Sequence, residues 1–177
     1  MTERNMDIKK ITQPLMAAFS CLLIAVGMLS SSMASGEIAL TPKWTERYLF
    51  KHNPSLVQNT HLDQVLSFYY FGSYQDFTIM GMERVKGDDY HQYNTVLIFK
   101  DSVLQGYYEE LAVFPAGVNE QGQVKFPANN DVIDNIDLGQ GYYPAMVFVR
   151  DKKLNPETHA VSEFVSLVEG VEGKDKT

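Results

Sequence analysis

The sequence predicts an α+β fold: two N-terminal helices, an antiparallel meander of three or more strands, and then a further strand and a C-terminal helix packed on one sheet face. Two observations lead to this class. Aromatic and β-branched residues dominate three consecutive segments between residues 77 and 114, and short turns separate these segments. Before and after them, apolar residues recur at helical spacing behind residues that cap helices. Grouped strands with helices on either side in the sequence are typical of α+β domains.

Two helices are predicted before the meander. The first begins at Thr41, which suits the N-cap, with Pro42 at the first helical position, and it ends near residues 52–54. The second begins at a capping box formed by Thr60 and Asp63. Its apolar residues follow at helical period before Gly72 ends it: Leu62, Val65, Leu66 and Tyr69.

The meander is predicted as three strands over residues 77–85, 90–99 and 103–114, joined by short turns. A loop at 115–122 and a short strand at 124–126 follow.

The remainder of the chain is predicted to return to helix after one more strand. Residues 127–143 form an ordered loop or a single helical turn, and residues 144–150 form a strand. Asn155 and Pro156 then open a C-terminal helix, which ends at Gly170. Its apolar face consists of Val161, Phe164, Val165 and Val168.

The N-terminus has the pattern of a secretory signal peptide. Basic residues precede an uncharged apolar run, and small residues follow it, with Ser32 and Ala34 at the −3 and −1 positions of a cut after Ala34. The chain is thus divided into a signal peptide at 1–34, a single periplasmic domain at 35–171 and a disordered tail at 172–177. An uncleaved inner-membrane anchor is the alternative, because the run reaches the ~20 residues that cross a bilayer if its serines are included.

The charge of the chain limits its partners. The formal net charge is −7 at pH 7, and removal of residues 1–34 would leave 12 basic and 20 acidic residues, or about −8. Lys and Arg do not cluster, which excludes nucleic-acid binding and disfavours anionic lipid, so that a membrane is met only through the N-terminal segment before cleavage. A cationic partner is favoured. The single cysteine, Cys21, lies in the apolar run, so the mature domain has neither disulfides nor thiolate metal sites.

Three short motifs carry a family resemblance. Gln64-Val65 lies in the predicted second helix, Gly72 ends that helix, and Phe99-Lys100-Asp101 closes a later strand with Leu104 just beyond. With two helices before a meander, this segment, residues 60–114, resembles the SmpA/OmlA, or BamE-like, family of small envelope proteins. The resemblance implies a non-enzymatic protein-binding domain in the periplasm, on a fold that secreted enzyme inhibitors also use.

No catalytic, cofactor or metal site is predicted. The sequence has no G-x-S-x-G elbow, no Gly-rich phosphate loop after a strand and no two histidines four residues apart. Glu109 and Glu110 are adjacent in a strand, so they point to opposite faces and cannot act together on one bond. Three aspartates in the 127–143 segment could hold Ca²⁺, but their spacing fails the EF-hand pattern and suits a loop that caps its own backbone. Whether they bind a cation stays open: they are Asp131, Asp134 and Asp137.

Tyrosines are the most distinctive feature of the predicted sheet. Two adjacent tyrosines in a strand place one ring in the core and one outside, and an outward tyrosine is a good anchor for a protein or a sugar. Packing of these rings within the sheet and its edges is the alternative. The predicted partner-binding residues are Tyr90, Tyr93, Tyr107, Tyr108, Glu109, Phe114 and Val118.

These features together predict an exported, non-enzymatic protein-binding domain. Its partner would be another envelope or secreted protein, and its role would be that of an inhibitor or immunity-type protein or of an envelope assembly factor. One alternative is an enzyme acting on envelope glycan or peptide, which needs a cleft where an acidic residue meets His91 or Tyr90. The other is a Ca²⁺-stabilised structural component of the envelope.

Overall fold

The first helix begins where its capping residues predict. In the computed structural model, which describes residues 40–151, 160–170 and 173, helix α1 spans Pro42–His52. Thr41 Oγ1 accepts a hydrogen bond from Trp44 N at 3.2 Å, and Pro42 occupies the first turn. A single-turn helix, α2, follows at Pro54–Val57. The predicted signal peptide at 1–34 and most of the predicted tail at 172–177 lie outside the described residues.

After these helices the described chain is mostly β. Its strands are β1 (Asp63–Tyr74), β2 (Phe77–Lys86), β3 (His91–Lys100), β4 (Val103–Leu111), β5 (Gly117–Val118), β6 (Val124–Lys125), β7 (Asn130–Ile133), β8 (Met146–Asp151) and β9 (Ala160–Ser166). Seven of them form an antiparallel sheet in the order β1-β2-β3-β4-β9-β8-β7, and β5 pairs with β6 separately. The predicted α+β class is therefore wrong, because in these ranges an antiparallel sheet carries only two short helices, both before β1.

The predicted meander is confirmed. Strands β2, β3 and β4 follow one another as antiparallel neighbours, with Gly81 opposite Val96 and Leu97 opposite Tyr107. The strand predicted at 144–150 is β8, and the short strand at 124–126 is β6. These segments are rich in β-branched and aromatic residues and are bounded by turns, which is why the sequence locates them.

The predicted second helix is wrong, because that segment is strand β1. It pairs with β2 from Asp63 opposite Lys86 to Tyr74 opposite Phe77. Two register shifts, one of them at Leu66, change which residues of β1 share a face and produce apolar spacings of three and four residues. That spacing imitates a helix. Gln64-Val65 and Gly72, which carry part of the family resemblance, consequently lie in a strand.

The predicted C-terminal helix is also wrong over the part that the structure describes, since residues 160–166 form β9. Phe164 points into the core on one face of the sheet, whereas Val161 and Val165 lie on the other face. Because β9 has apolar residues on both faces, Val161, Phe164 and Val165 fall at i, i+3 and i+4, which is the spacing typical of a helix. The predicted helix start at Asn155-Pro156 lies outside the described residues.

Both faces of the central strands are buried, in two separate cores. On the helical face, α1 and α2 pack over Met80, Met82, Leu97 and Phe99. On the opposite face, which we call the loop face, the chain between β4 and β8 packs over Ile79, Val96 and Ile98. This chain contains β5–β7 and a 3₁₀-helix at Leu138–Gln140, so the predicted ordered loop at 127–143 also holds a short strand.

Candidate functional site: the open face

Alternation along β4 decides which tyrosine reaches the surface. Tyr108 points to the loop face, is fully buried, and donates a hydrogen bond from its hydroxyl to Pro144 O at 2.7 Å. Tyr107 points to the helical face, where it packs against the edge of the core under α1 and stays half-buried. The two rings thus lie on opposite faces of the sheet, as alternation along a strand requires. Tyr108 cannot be a surface anchor, because its ring fills the core.

Beyond the edge of the helical-face core, the helical face continues over β9, β8 and β7. Cross-strand partners share a face, and Tyr107 is paired with Val165. In the same way, Val161 is paired with Phe148, and Phe148 with Ile133. We define the open face as Tyr107, Ile133, Met146, Val161 and Val165.

The open face is apolar and exposed. The relative exposures of its four aliphatic members run from 38% for Val165 to 62% for Ile133, with Met146 at 39% and Val161 at 41%. On the loop face of the same sheet, β8 and β9 are covered, because Val147, Val149 and Phe164 belong to the core. The open face is therefore a continuous apolar surface across four neighbouring strands.

Two carboxylates lie within this surface. Glu163 is opposite Met146, and Glu109 is two residues beyond Tyr107 on the same face of β4. Burial, and after it the nearby charge of Glu109, raises the pKa of the Tyr107 hydroxyl. Within residues 40–151 and 160–170, no Lys, Arg or His forms a salt bridge with Glu109 or Glu163. At one end of the surface, Arg150 pairs with Asp131 at 3.0 Å.

The structure places two other predicted residues on the β2–β3 hairpin. Tyr90 lies in the turn with a φ of 53° and a relative exposure of 72%. Tyr93 faces the same side of the sheet as Arg84, its partner in β2. Lys86 Nζ lies 5.0 Å from the centre of the Tyr93 ring and 3.4 Å from Glu110 Oε1. These tyrosines mark the hairpin end of the sheet and are not members of the open face.

The last two predicted residues, Phe114 and Val118, lie on the loop face beside β1. The Phe114 ring is 5.1 Å from those of both Tyr69 and Phe71. Val118 approaches Gly72 so closely that a Cβ there would lie 3.1 Å from the Val118 Cβ. The seven predicted residues thus fall into four places, and only Tyr107 and Glu109 lie at the open face.

Sequence reasoning missed most of the open face. The sequence predicts a helix for Val161 and Val165 and a loop for Ile133, and it predicts a strand for Met146 without indicating a function. Residues 161–165 carry no period-two signal of a strand, because their apolar members Val161, Phe164 and Val165 recur at the helical spacing i, i+3 and i+4.

The three aspartates of the 127–143 segment differ in their interactions and backbone conformations. Asp131 pairs with Arg150, Asp134 occupies a turn with a φ of 56°, and Asp137 Oδ1 accepts a hydrogen bond from Gln140 N at 3.2 Å. Among the described residues, no three His, Cys, Asp or Glu side chains are grouped so that they could hold a metal ion. Nor does the described part contain a helix long and apolar enough to span a bilayer.

No protein-family model, curated protein or solved structure matches the chain. Its function must therefore be inferred from its own geometry.

Proposed function

We propose that this chain is an exported, non-enzymatic protein-binding domain that holds a partner protein on its open face. The observation that carries the proposal is the exposure of apolar side chains on four neighbouring strands. Contiguous exposed apolar surface of this kind marks interaction sites in soluble domains. Tyr107 at its edge is half-buried, and tyrosine is enriched among the residues that dominate binding energy.

The charges around the open face indicate the chemistry of the partner. Glu109 and Glu163 lie among apolar side chains without a basic partner in the described chain. A partner that buried them without a cation would pay a large desolvation cost, whereas one that supplied Lys or Arg would form charge-assisted hydrogen bonds. The net charge of −7 also favours encounter with a cationic surface. The proposed partner therefore presents apolar side chains around at least one basic residue.

The proposed cellular compartment follows from the N-terminal sequence pattern. The basic, apolar and small-residue segments of residues 1–34 support export to the periplasm, with an uncleaved inner-membrane anchor as the other outcome of the same pattern. In that compartment the domain would act as an inhibitor or immunity-type protein or as an envelope assembly factor. The identity of the partner separates these two roles.

The test compares two variants in affinity capture from the envelope fraction of the native cell. Val161→Ser combined with Val165→Ser removes apolar surface from the open face. Leu66→Ser is the control, because Leu66 is a similarly exposed aliphatic residue, at 52%, on the edge strand β1 at the other end of the sheet. We expect one stoichiometric partner with the wild type and Leu66→Ser, and its loss with the double variant.

Three results would contradict the proposal. The first is a partner that both variants retain equally, and the second is the absence of any stoichiometric partner. The third is self-association, detected by light scattering, that the double variant abolishes, because the open face would then bind a second copy. As a control, circular dichroism and urea unfolding are measured on both variants. We expect both to be folded, because substitutions of exposed residues change stability little.

A further inference from the structure

The outward side of α1 carries a row of basic residues. Lys43, Arg47 and Lys51 recur at every fourth position, so they follow one another along one side of the helix. All three are exposed, whereas Thr45 and Leu49, on the opposite side of α1, are buried. These basic residues form no run in the sequence, and only the helix brings them together. We call these three residues the basic stripe.

The cations of the basic stripe have no acidic partner in the part of the chain that the structure describes. Within residues 40–151 and 160–170, the salt bridges use other basic side chains, namely Arg84, Lys86, Lys100 and Arg150. Glu46 flanks the stripe on α1, so one exposed carboxylate stands beside three exposed cations. Unpaired positive charge gathered on one side of a chain whose net charge is −7 indicates an anionic partner.

An exposed aromatic ring lies on the same side of the helix. Phe50 comes three residues after Arg47 and seven after Lys43, which places it along the basic stripe. Its relative exposure is 56%. A helix that presents an aromatic residue among cations is typical of surfaces that lie in a membrane interface, where the ring enters the headgroup region and the cations meet phosphates.

The N-terminal part of the chain enters the domain at the start of α1. Leu40 is 9% exposed and packs in the core under this helix. In the sequence, residues 30–39 separate Leu40 from the apolar run at 15–29, and a chain of that length spans at most about 40 Å. A membrane that holds the apolar run, before cleavage or as an uncleaved anchor, is therefore within reach of the basic stripe.

We propose that the basic stripe and Phe50 bind the anionic phospholipid surface of a membrane. The cations complement lipid phosphates, and the ring of Phe50 supplies apolar surface for the boundary between headgroups and acyl chains. An acidic protein would also complement the cations, but the position of the apolar run favours lipid. Because α1 and the open face lie on the same side of the sheet, a domain held in this way would meet its partner at the membrane.

The test follows Trp44, the only tryptophan of the chain, which lies in α1 itself. Energy transfer from Trp44 to a dansyl-labelled lipid is measured with the full-length chain. The vesicles consist of phosphatidylcholine, either alone or mixed three to one with phosphatidylglycerol. The signal reports the approach of α1 to the bilayer whether or not residues 1–34 remain on the chain.

Two variants change the proposed surface. Lys43→Gln combined with Arg47→Gln removes two charges, and Phe50→Ser removes the ring. The matched control combines Lys100→Gln with Lys125→Gln, which removes two positive charges from exposed positions outside α1. Thermal unfolding checks that the variants are folded, as we expect for substitutions of exposed residues.

We expect energy transfer to be greater with phosphatidylglycerol than without it, and to fall at high salt. The double charge variant of α1 should bind the mixed vesicles about thirtyfold more weakly than the wild type, since each basic residue at an anionic surface contributes about fivefold. Phe50→Ser should weaken binding roughly tenfold, because it removes apolar surface from the interface. The matched control should bind as the wild type does.

Three results would overturn the proposal. The first is equal energy transfer with the two kinds of vesicle, and the second is equal binding by the α1 charge variant and its matched control. The third is displacement of the vesicles by polyglutamate at equal charge concentration, which would indicate an acidic protein as the partner.

The vesicle test is independent of the proposed function, because it contains no partner protein. The open-face variant, Val161→Ser with Val165→Ser, should bind vesicles as the wild type does even if it loses its protein partner. Loss of vesicle binding in this variant would also overturn the proposal, since the open face and not the basic stripe would then meet the lipid.

Discussion

Glu163 on β9 and Met146 on β8 are cross-strand partners on the helical face, so a carboxylate lies beside a partly exposed thioether within an apolar surface. Val165, two residues along β9, is paired with Tyr107 on β4. On this face strand β9 is therefore paired with its neighbours through one acidic residue, Glu163, and two aliphatic residues, Val161 and Val165. A single partner surface that covers β9 must meet both kinds of side chain.

Glu163→Gln should weaken binding of the partner about three- to tenfold at low salt, because it removes one carboxylate from the interface without changing its shape. At high salt the wild type and the variant should bind more equally, since ions screen the charge that distinguishes them. Isothermal titration calorimetry with the purified partner at two ionic strengths measures both effects. Glu120→Gln, on the exposed loop between β5 and β6, is the control. An equal loss of affinity at all salt concentrations would argue against an ionic contact at Glu163.

The meander and the first helix were predictable because their signals are local. Thr41 and Pro42 form a cap that needs no tertiary partner, and β2–β4 carry β-branched and aromatic residues between turns. Strands β1 and β9 were missed because their spacing depends on the rest of the fold. The register shift at Leu66 changes the side-chain alternation, and Phe164 and Val165 are both apolar because each meets a different surface.

The candidate site was predictable only in part, for a related reason. Adjacent tyrosines in a strand must point to opposite faces, so one of Tyr107 and Tyr108 had to be near the surface. Which one reaches it depends on pairing with β9, a strand that the sequence presented as a helix. Val165 and Met146 join Tyr107 only through the sheet order β4-β9-β8, which links segments distant in the chain.

Removal of the Asp63 carboxylate should destabilise the domain by about 1–3 kcal/mol, because Arg84 would lose its charged partner. Arg84 is 5% exposed, its Nη2 lies 2.8 Å from Asp63 Oδ1, and its Nη1 donates to Leu56 O. Urea unfolding of Asp63→Ala against the wild type measures the loss. Adding Arg84→Met to Asp63→Ala should recover part of it, since no unpaired charge would remain buried. If the double variant were less stable than Asp63→Ala, Arg84 would stabilise the domain mainly through its hydrogen bond to the Leu56 carbonyl.

Gly106→Ala should destabilise the domain by about 1–3 kcal/mol, because β4 and β9 would have to separate. A Cβ on Gly106 would lie 2.4 Å from Phe164 Cζ and 2.5 Å from Val165 O, and the second of these is a backbone atom that cannot rotate away. Gly141→Ala is the comparison: its Cβ meets nothing within 4 Å, and only its φ of 58° opposes the change, at about 1 kcal/mol. Equal stability of Gly106→Ala and the wild type would contradict the close contact between β4 and β9.

Stability should fall between about pH 10 and pH 12 through the phenol of Tyr143. Burial, helped by the charge of Asp76, raises the pKa of Tyr143 to about 12, whereas an unfolded tyrosine titrates near 10. Below pH 10 the Tyr143 phenol is protonated in both the folded and the unfolded state, so its contribution to the free energy of unfolding is present in full. Above it the unfolded state ionises first, so the free energy of unfolding decreases until the folded state also ionises near pH 12.

Between about pH 10 and pH 12, the free energy of unfolding of the Tyr143→Phe variant should therefore fall by about 1–2 kcal/mol less than that of the wild type. Urea unfolding at several pH values measures this difference. Burial also raises the pKa of Tyr108, but that contribution is present in both proteins and cancels in the comparison. Tyr90→Phe is the control, because it removes a phenol that is 72% exposed and lies outside the core. If Tyr143→Phe and the wild type lost stability in parallel, the alkaline sensitivity would have to come from groups other than the Tyr143 phenol.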